Sequence, residues 1–142
     1  MSSRAIITGS SSGIGFAYAK YLSREKWNLD LVSNDKVRLT QSESALGYKN
    51  VKFHQADLSN DESVKHIINS FETPNLLIAN AGIAINGAVG RLNQDDKKKA
   101  SYLMFGGVID LIEGFVPKMI KNGGGRIVII SSFGALAPMP KS

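Results

Sequence analysis

The segment from Arg4 to Gly15 constrains the fold more than any other part of the sequence. It reads Arg-Ala-Ile-Ile-Thr-Gly-Ser-Ser-Ser-Gly-Ile-Gly, so a short apolar run meets three glycines before an amphipathic run begins at Phe16. A strand, a glycine-rich turn and a helix start in this order are typical of the first βα unit of a dinucleotide-binding domain. The sequence therefore predicts a helix whose first backbone amides face a diphosphate.

The three glycines have different predicted roles. Gly9 lets the chain turn sharply away from the strand, and Gly13 leaves out a Cβ where the backbone must approach the diphosphate. Gly15 lets the helix lie close to the sheet. The same turn contributes three further candidate cofactor-binding residues, Ser11, Ser12 and Ile14.

Strands alternate with helices along the rest of the chain. The strands are predicted at 5–8, 29–33, 51–55, 76–79 and 126–131, and the helices at 13–24, 36–45, 61–70 and 95–121. We expect Gly47 to end the second helix and Ser59 or Asn60 to cap the third. This alternation predicts an α/β fold, a Rossmann-type doubly wound parallel sheet with strand order 3-2-1-4-5.

Two helices carry specific packing expectations. Apolar residues at helical spacing predict a sheet-facing stripe on the first helix, made of Ile14, Ala17, Tyr18, Tyr21 and Leu22. The last helix is apolar on nearly all sides between Tyr102 and Ile120, so we expect it to be largely buried, and Pro117 to kink it or end it early.

The spacing of the glycines resembles one family in particular. Thr8-Gly9-x-x-x-Gly13-x-Gly15 is similar to the Thr-Gly-x-x-x-Gly-x-Gly signature of the short-chain dehydrogenases/reductases. The resemblance implies an oxidoreductase that binds NAD(P)(H) and transfers a hydride between nicotinamide and a small carbonyl or alcohol substrate.

Three further motifs match the family in order. Asp57-Leu58 follows the third strand, where the family binds adenine; a cap for the next helix is the alternative interpretation. Asn80-Ala81-Gly82 follows the fourth strand, where the family stabilises its central sheet and passes the cofactor ribose; a simple turn is the alternative. Ser132, after the fifth strand, matches the catalytic serine that hydrogen-bonds the substrate oxygen, although a serine at a strand end is often only a turn residue.

The tip of the second strand bears on the choice of cofactor. An acidic residue there would select NAD(H), but Ser33 and Asn34 occupy this position. This neutral pair tolerates a 2′-phosphate that Lys36 or Arg38 could reach, so NADP(H) is slightly preferred over NAD(H). Asp35 weakens that argument.

The sequence departs from the family at Met104. The family carries an asparagine here, which opens the helix locally and holds a water of the proton relay. A methionine is expected to do neither. This departure favours an alternative function, a non-catalytic dinucleotide-binding module such as a sensor, a regulatory subunit or a decayed enzyme. A methyltransferase-like domain is disfavoured, because the second strand lacks an acidic tip and Asn-Ala-Gly is present.

A second departure is that no Tyr-x-x-x-Lys motif follows the fifth strand within the 142 residues. In the family this pair supplies the general acid/base and holds the ribose. We therefore expect residues 1–142 to be one NAD(P)-binding Rossmann domain, truncated after strand five and inactive alone.

Composition restricts partners and location. The net charge of +5 comes from scattered Lys and Arg, which does not predict nucleic-acid binding. Without cysteine, and with its two histidines far apart in sequence, the chain has no predicted metal site. Charges and glycines in the last helix argue against a membrane span. An N-terminus without an apolar signal region favours a cytoplasmic protein, and the wide apolar surface of that helix predicts a homodimer or homotetramer.

Overall fold

The computed structural model describes residues 3–47, 49–85, 87–88 and 90–137. In chain order the elements are β1 (Arg4–Thr8), α1 (Gly13–Arg24), β2 (Asn28–Ser33), α2 (Lys36–Leu46), β3 (Val51–Gln55), α3 (Asp61–Ser70), β4 (Leu76–Ala79), α4 (Gln94–Ser101), α5 (Gly107–Lys121) and β5 (Arg126–Ile129). A π-helical turn, Tyr102–Gly106, joins α4 to α5, and a 3₁₀ turn, Phe133–Ala135, follows β5.

The five strands form one parallel sheet in the order β3-β2-β1-β4-β5, which confirms the predicted fold class and strand order. Successive residues of a strand point to opposite faces. Ile6 and Leu77 therefore join a core with Phe115 of α5, whereas Ile7 and Ile78 join a second core that includes helix α1. Helices cover both faces of the sheet.

The end of α2 and the N-cap of α3 agree with the sequence predictions. Gly47 ends α2 with a φ of +71°, a conformation that favours glycine. Asn60, rather than Ser59, caps α3 by accepting a hydrogen bond from the backbone of Ser63 at 2.9 Å. Strand β5 ends at Ile129, before the predicted end at Ser131.

The predicted sheet-facing stripe of α1 was right at Leu22, which is buried, and at Tyr18, which packs against the core, but wrong at Ile14, Ala17 and Tyr21. The buried residues are Gly15, Ala19 and Leu22, whereas the side chains of Ile14 and Tyr21 are 55% and 62% exposed. Small residues form this face because α1 lies very close to the turn that precedes it: a Cβ on Gly15 would be 2.4 Å from the carbonyl oxygen of Gly9.

The long helix also differs from expectation. It opens into the π turn at Tyr102–Gly106 although residue 104 is a methionine, so the expectation that Met104 would leave the helix closed was wrong. The helix continues past Pro117 to Lys121. One stripe of α5 is buried, through Leu111, Phe115 and Met119, whereas Phe105 is 69% exposed, so the expectation of a largely buried helix is met on one side only within this chain.

Among the described residues, no helix combines the length and the apolar character that crossing a bilayer requires.

Candidate functional site

The glycine-rich turn packs against the end of β4. Gly9 has a φ of +63°, and a Cβ there would lie 2.8 Å from the Cα of Ala81. A Cβ on Gly15 would also lie 2.5 Å from Nδ2 of Asn80. Both positions therefore require glycine for space, and both bring the turn against Asn80-Ala81.

Gly13 differs from the other two glycines. Its φ is +54°, and a Cβ there would meet nothing within 4 Å. The backbone at this point is exposed and faces open space, which is the arrangement that lets a ligand approach the chain closely.

The first turn of α1 keeps its amides open. Ser12 is the N-cap residue, but its side chain accepts no hydrogen bond from the turn. The backbone hydrogen bond that begins this helix runs from the Phe16 N–H to the Ser12 carbonyl at 3.2 Å. Earlier N–H groups of a helix have no partner within it, and with the helix dipole they favour an anion. Ser12, Gly13 and Ile14 are all exposed here.

Hydrogen bonds fix the turn to the neighbouring strand. Thr8 Oγ1 accepts the backbone N–H groups of Asn80 and Ala81 at 2.9 and 3.0 Å. In the other direction, Asn80 Nδ2 donates to the carbonyls of Thr8 and Gly9, both at 3.0 Å. Thr8 was not among the predicted site residues, although its place directly before Gly9 was a usable signal.

A groove, here the nucleotide groove, runs along the carboxyl ends of β1, β2 and β3. Seven predicted site residues line it: Gly9, Ser33, Asn34, Asp57, Leu58, Ala81 and Gly82. Leu103 of the π turn also lines it, and no sequence pattern had indicated this residue. The structure therefore brings together residues from four separate predicted motifs.

Asp57 and Leu58 occupy different environments in this groove. Leu58 is buried, whereas Asp57 is exposed and its Oδ1 accepts the N–H of Ser59 at 2.9 Å. The N-cap of α3 is Asn60, so Asp57 is not needed to cap that helix. Its other carboxylate oxygen, Oδ2, takes no part in the hydrogen bond to Ser59.

Ser33 at the tip of β2 is buried and bonded. Its Oγ lies 2.7 Å from Ser11 Oγ and accepts the Asp35 N–H at 3.2 Å. Asp35 caps α2: its Oδ1 accepts the Arg38 N–H at 3.0 Å, and its Oδ2 lies 3.4 Å from Arg38 Nε. The Asp35 carboxylate is therefore engaged with α2 and does not line the groove. Asn34 is exposed and does.

A second cavity of about 620 Å³, here the strand-end cavity, lies at the carboxyl ends of β4 and β5. Met104, Ser131 and Ser132 line it together with Asn80 and Gly82. Ser132 is exposed, and its Oγ accepts the Gly134 N–H at 3.1 Å at the start of the 3₁₀ turn. Ser132 thus has the local turn role and faces the cavity as well.

The histidines lie away from both cavities. His54 Nε2 is 2.9 Å from Asp30 Oδ1, and His66 Nδ1 is 3.3 Å from Ser70 Oγ. Within the part of the chain that the structure describes, no three His, Asp or Glu side chains are grouped so that they could hold a metal ion.

The family assignment follows from comparison with known proteins. A family model described as short chain dehydrogenase matches residues 3–142. The chain belongs to this family. SadH of Mycobacterium tuberculosis is 36% identical over 96% of this chain and 51% of its own length, and the fatty acyl-CoA reductase of Acinetobacter baylyi is 31% identical over 94% and 48%.

Solved structures agree with this assignment. A short-chain dehydrogenase from Sphingobium yanoikuyae in complex with NADPH superimposes with a TM-score of 0.86 at 30% identity, over 96% of this chain and 56% of that one. L-sorbose reductase from Gluconobacter frateurii, complexed with NADPH and L-sorbose, gives 0.87 at 30% identity, over 97% and 55%. The chain spans about half the length of the curated relatives it matches.

Proposed function

We propose that this chain binds a nicotinamide dinucleotide and forms the cofactor-binding part of an oxidoreductase that transfers a hydride between nicotinamide and a small carbonyl or alcohol. The observation that carries the proposal is the glycine-rich turn at the uncapped start of α1, next to the nucleotide groove. The cofactors of the two NADPH complexes among its structural relatives support this interpretation.

Each part of the dinucleotide has fitting residues. The amides at Gly13 and Ile14 would hold the diphosphate, because no side chain covers them and the helix dipole favours an anion there. Leu58 would flank the adenine ring, and Asp57 would accept from its amino group. Asn80, Ala81 and Gly82 connect the groove to the strand-end cavity, where the nicotinamide would lie.

NADP(H) is our preferred cofactor. An acidic side chain beside the ribose would repel a 2′-phosphate, but the Ser33 and Asn34 positions are neutral. The carboxylate that follows this pair directly in the sequence, that of Asp35, is bound to Arg38 and to the start of α2. The objection that Asp35 raised from sequence is therefore weaker.

Ser132 would serve the reacting oxygen. Hydride transfer places negative charge on that oxygen, and a hydroxyl donor in the cavity lowers the free-energy cost of that charge. Bound nicotinamide would supply or accept the hydride. The 142 residues hold no Tyr-x-x-x-Lys pair after β5, so we propose that they do not turn over substrate by themselves.

One observation favours the second candidate, a binding module without catalysis. Met104 lines the strand-end cavity with a thioether where the family carries an amide, so this wall offers no strong hydrogen-bond partner to a relay water. The two candidates share cofactor binding and differ only in turnover.

Titration of the chain with NADPH and NADH, followed by nucleotide fluorescence and calorimetry, tests the proposal. We expect saturable binding of both, with NADPH at least threefold tighter. Absence of saturable binding of either nucleotide would overturn the proposed function. NADH binding at least tenfold tighter than NADPH would overturn the cofactor preference alone.

We also propose that the chain assembles into a homodimer or homotetramer through the exposed apolar side of the π turn and α5. Phe105 and Ile109 lie on this side and are exposed, and apolar patches of this kind are often interfaces. Light scattering at micromolar concentration tests it, and a monomer would contradict it.

A further inference from the structure

The π turn between α4 and α5 is bridged by one side-chain hydrogen bond. The Tyr102 hydroxyl donates to Asp110 Oδ2 at 2.6 Å, from the first residue of the turn to the first turn of α5. The bond therefore reaches across the whole π segment and connects the helical backbone on its two sides.

Two glycines make room for this arrangement. A Cβ on Gly106 would lie 2.9 Å from Cδ2 of the Tyr102 ring, and a Cβ on Gly107 would lie 3.3 Å from its Cε1. The Gly107 N–H bonds to the Tyr102 carbonyl, which is the five-residue step of a π helix. The tyrosine ring therefore lies close to the backbone of both glycines, where a Cβ would crowd it.

The Tyr102 hydroxyl is suited to remain a hydrogen-bond donor because it stays protonated. Loss of solvent around Tyr102, together with the hydrogen bond to Asp110, raises the pKa of the phenol above its ordinary value. The proton thus stays on the tyrosine throughout the pH range in which proteins are normally studied. The negative charges of Asp110 and, more weakly, Asp61 of α3 add to this rise in the pKa of Tyr102.

The turn places adjacent side chains in two different cavities. Leu103 lines the nucleotide groove and packs against the core that contains Leu58. Met104 lines the strand-end cavity, with its Cγ and Sδ each 3.9 Å from the Cβ position of Gly82. A regular helix would turn these two side chains to other directions, because the extra residue of a π turn changes the rotation of the helix at this point.

We propose that Tyr102 and Asp110 are positioning residues: their hydrogen bond maintains the π turn that sets Leu103 against the nucleotide groove and Met104 against the strand-end cavity. Neither residue lines either cavity, so both act through residues 103 and 104. The effect on ligand binding rests on the proposed function, whereas the effect on the turn does not.

The experiment compares Tyr102→Phe, Asp110→Ala and Asp110→Asn in the whole chain by amide hydrogen exchange and NADPH titration. For Tyr102→Phe and Asp110→Ala, we expect about fivefold to tenfold faster exchange at residues 103–107, as the loss of one partly buried hydrogen bond would give. NADPH binding should weaken at least threefold. Asp110→Asn keeps an acceptor oxygen and should restore both properties.

Two controls separate positioning from general stability. Tyr18→Phe removes a phenol oxygen for which the described part of the chain provides no hydrogen bond, and it should leave exchange at residues 103–107 unchanged. Ile67→Val trims the core beneath α5 and should lower the unfolding midpoint without a threefold change in NADPH affinity. The double variant Tyr102→Phe/Asp110→Ala should behave like either single one, since both remove the same bond.

Unchanged exchange at residues 103–107 in Tyr102→Phe would overturn the inference, as would Asp110→Asn behaving like Asp110→Ala. Faster exchange in the turn with unchanged NADPH affinity would also overturn the link to the ligand. If the unsubstituted chain binds no nucleotide, the proposed function fails, and the exchange measurements still decide whether the bond maintains the turn.

Discussion

Thr8 and Asn80 are hydrogen-bonded to each other in both directions across the ends of β1 and β4. The Thr8 hydroxyl accepts the Asn80 N–H at 2.9 Å, and the Asn80 amide donates to the Thr8 carbonyl at 3.0 Å. Because Gly9 follows Thr8 directly, these bonds set the glycine-rich turn relative to Ala81 and Gly82. The candidate site is thus positioned from inside the sheet.

Replacing Thr8 by valine should destabilise the protein. Valine keeps the shape of the side chain but leaves the N–H groups of Asn80 and Ala81 without the oxygen that they share, at a cost of about 1–3 kcal/mol. Urea unfolding followed by circular dichroism would measure the change. Thr40→Val is the matched control: Thr40 is exposed on α2 and its hydroxyl donates to the Lys36 carbonyl of the same helix, so a change within about 0.5 kcal/mol is expected. Equal losses in both variants would contradict the assigned role.

Gly13 and Gly47 form a natural pair for testing the diphosphate site. Both have positive φ, +54° and +71°, and a Cβ at either would meet nothing within 4 Å. Valine at either position should therefore cost a similar amount, about 1–3 kcal/mol of backbone strain. Only Gly13→Val should weaken NADPH binding, by at least tenfold. Undiminished binding in Gly13→Val, or equal weakening in Gly47→Val, would remove the basis of the proposed site.

Asp30 should make stability depend on acidic pH. Its side chain is 4% exposed. Burial alone would raise the pKa of Asp30, but hydrogen bonds from His54 and Arg4 outweigh it and hold the pKa below its ordinary value. A carboxyl group whose pKa is depressed in the folded state stabilises the protein at pH values above its unfolded-state pKa of about 4. This stabilisation is lost as the pH falls through the folded-state pKa. Acid unfolding of the unsubstituted chain should therefore begin below about pH 4.

Asp30→Asn should remove this part of the pH dependence. At pH 7 it should cost about 1–3 kcal/mol, because Arg4 and His54 lose a charged partner. Urea midpoints measured between pH 3 and pH 7 would test both effects. Asp61→Asn is the comparison: it removes an exposed carboxylate paired with Lys65, and such surface pairs contribute little to the free energy of unfolding. A curve for Asp30→Asn parallel to that of the unsubstituted chain would contradict the prediction.

The sequence predicted strands, sheet order and the meeting of the motifs well, because all of these follow from where apolar runs and glycines lie along the chain. The face of α1 was only partly predicted, at Tyr18 and Leu22, because apolar size was taken as the guide to burial. The face that packs instead carries the small buried residues Gly15 and Ala19, whereas the large side chains of Ile14 and Tyr21 are exposed to solvent.

The π turn was mispredicted for a different reason. The opening is accompanied by a hydrogen bond between residues 102 and 110 and by a ring lying against Gly106 and Gly107, which are contacts of the folded helix rather than propensities of single residues. The side chain at position 104 alone was therefore a poor guide. The glycine pair within an otherwise helical segment was the available signal.

Asn34 provides the sharpest test of cofactor preference. It is exposed and lines the nucleotide groove, directly after the buried Ser33. Asn34→Asp introduces a carboxylate of nearly the same size where we place the 2′-phosphate, and like charges at close range in partly solvated surroundings repel by about 1–4 kcal/mol. NADPH should bind at least tenfold more weakly, whereas NADH, which has no 2′-phosphate, should change less than threefold.

Asn69→Asp is the control for this variant, because it makes the same chemical change on the exposed surface of α3, outside both cavities. It should leave the ratio of NADPH to NADH affinity unchanged. The penalty in Asn34→Asp should also shrink as salt is raised from 0.05 to 0.5 M, since ions screen exposed charges. Equal weakening of both nucleotides by Asn34→Asp would show that residue 34 does not contact the 2′-phosphate, and the preference for NADP(H) would then lose its structural support.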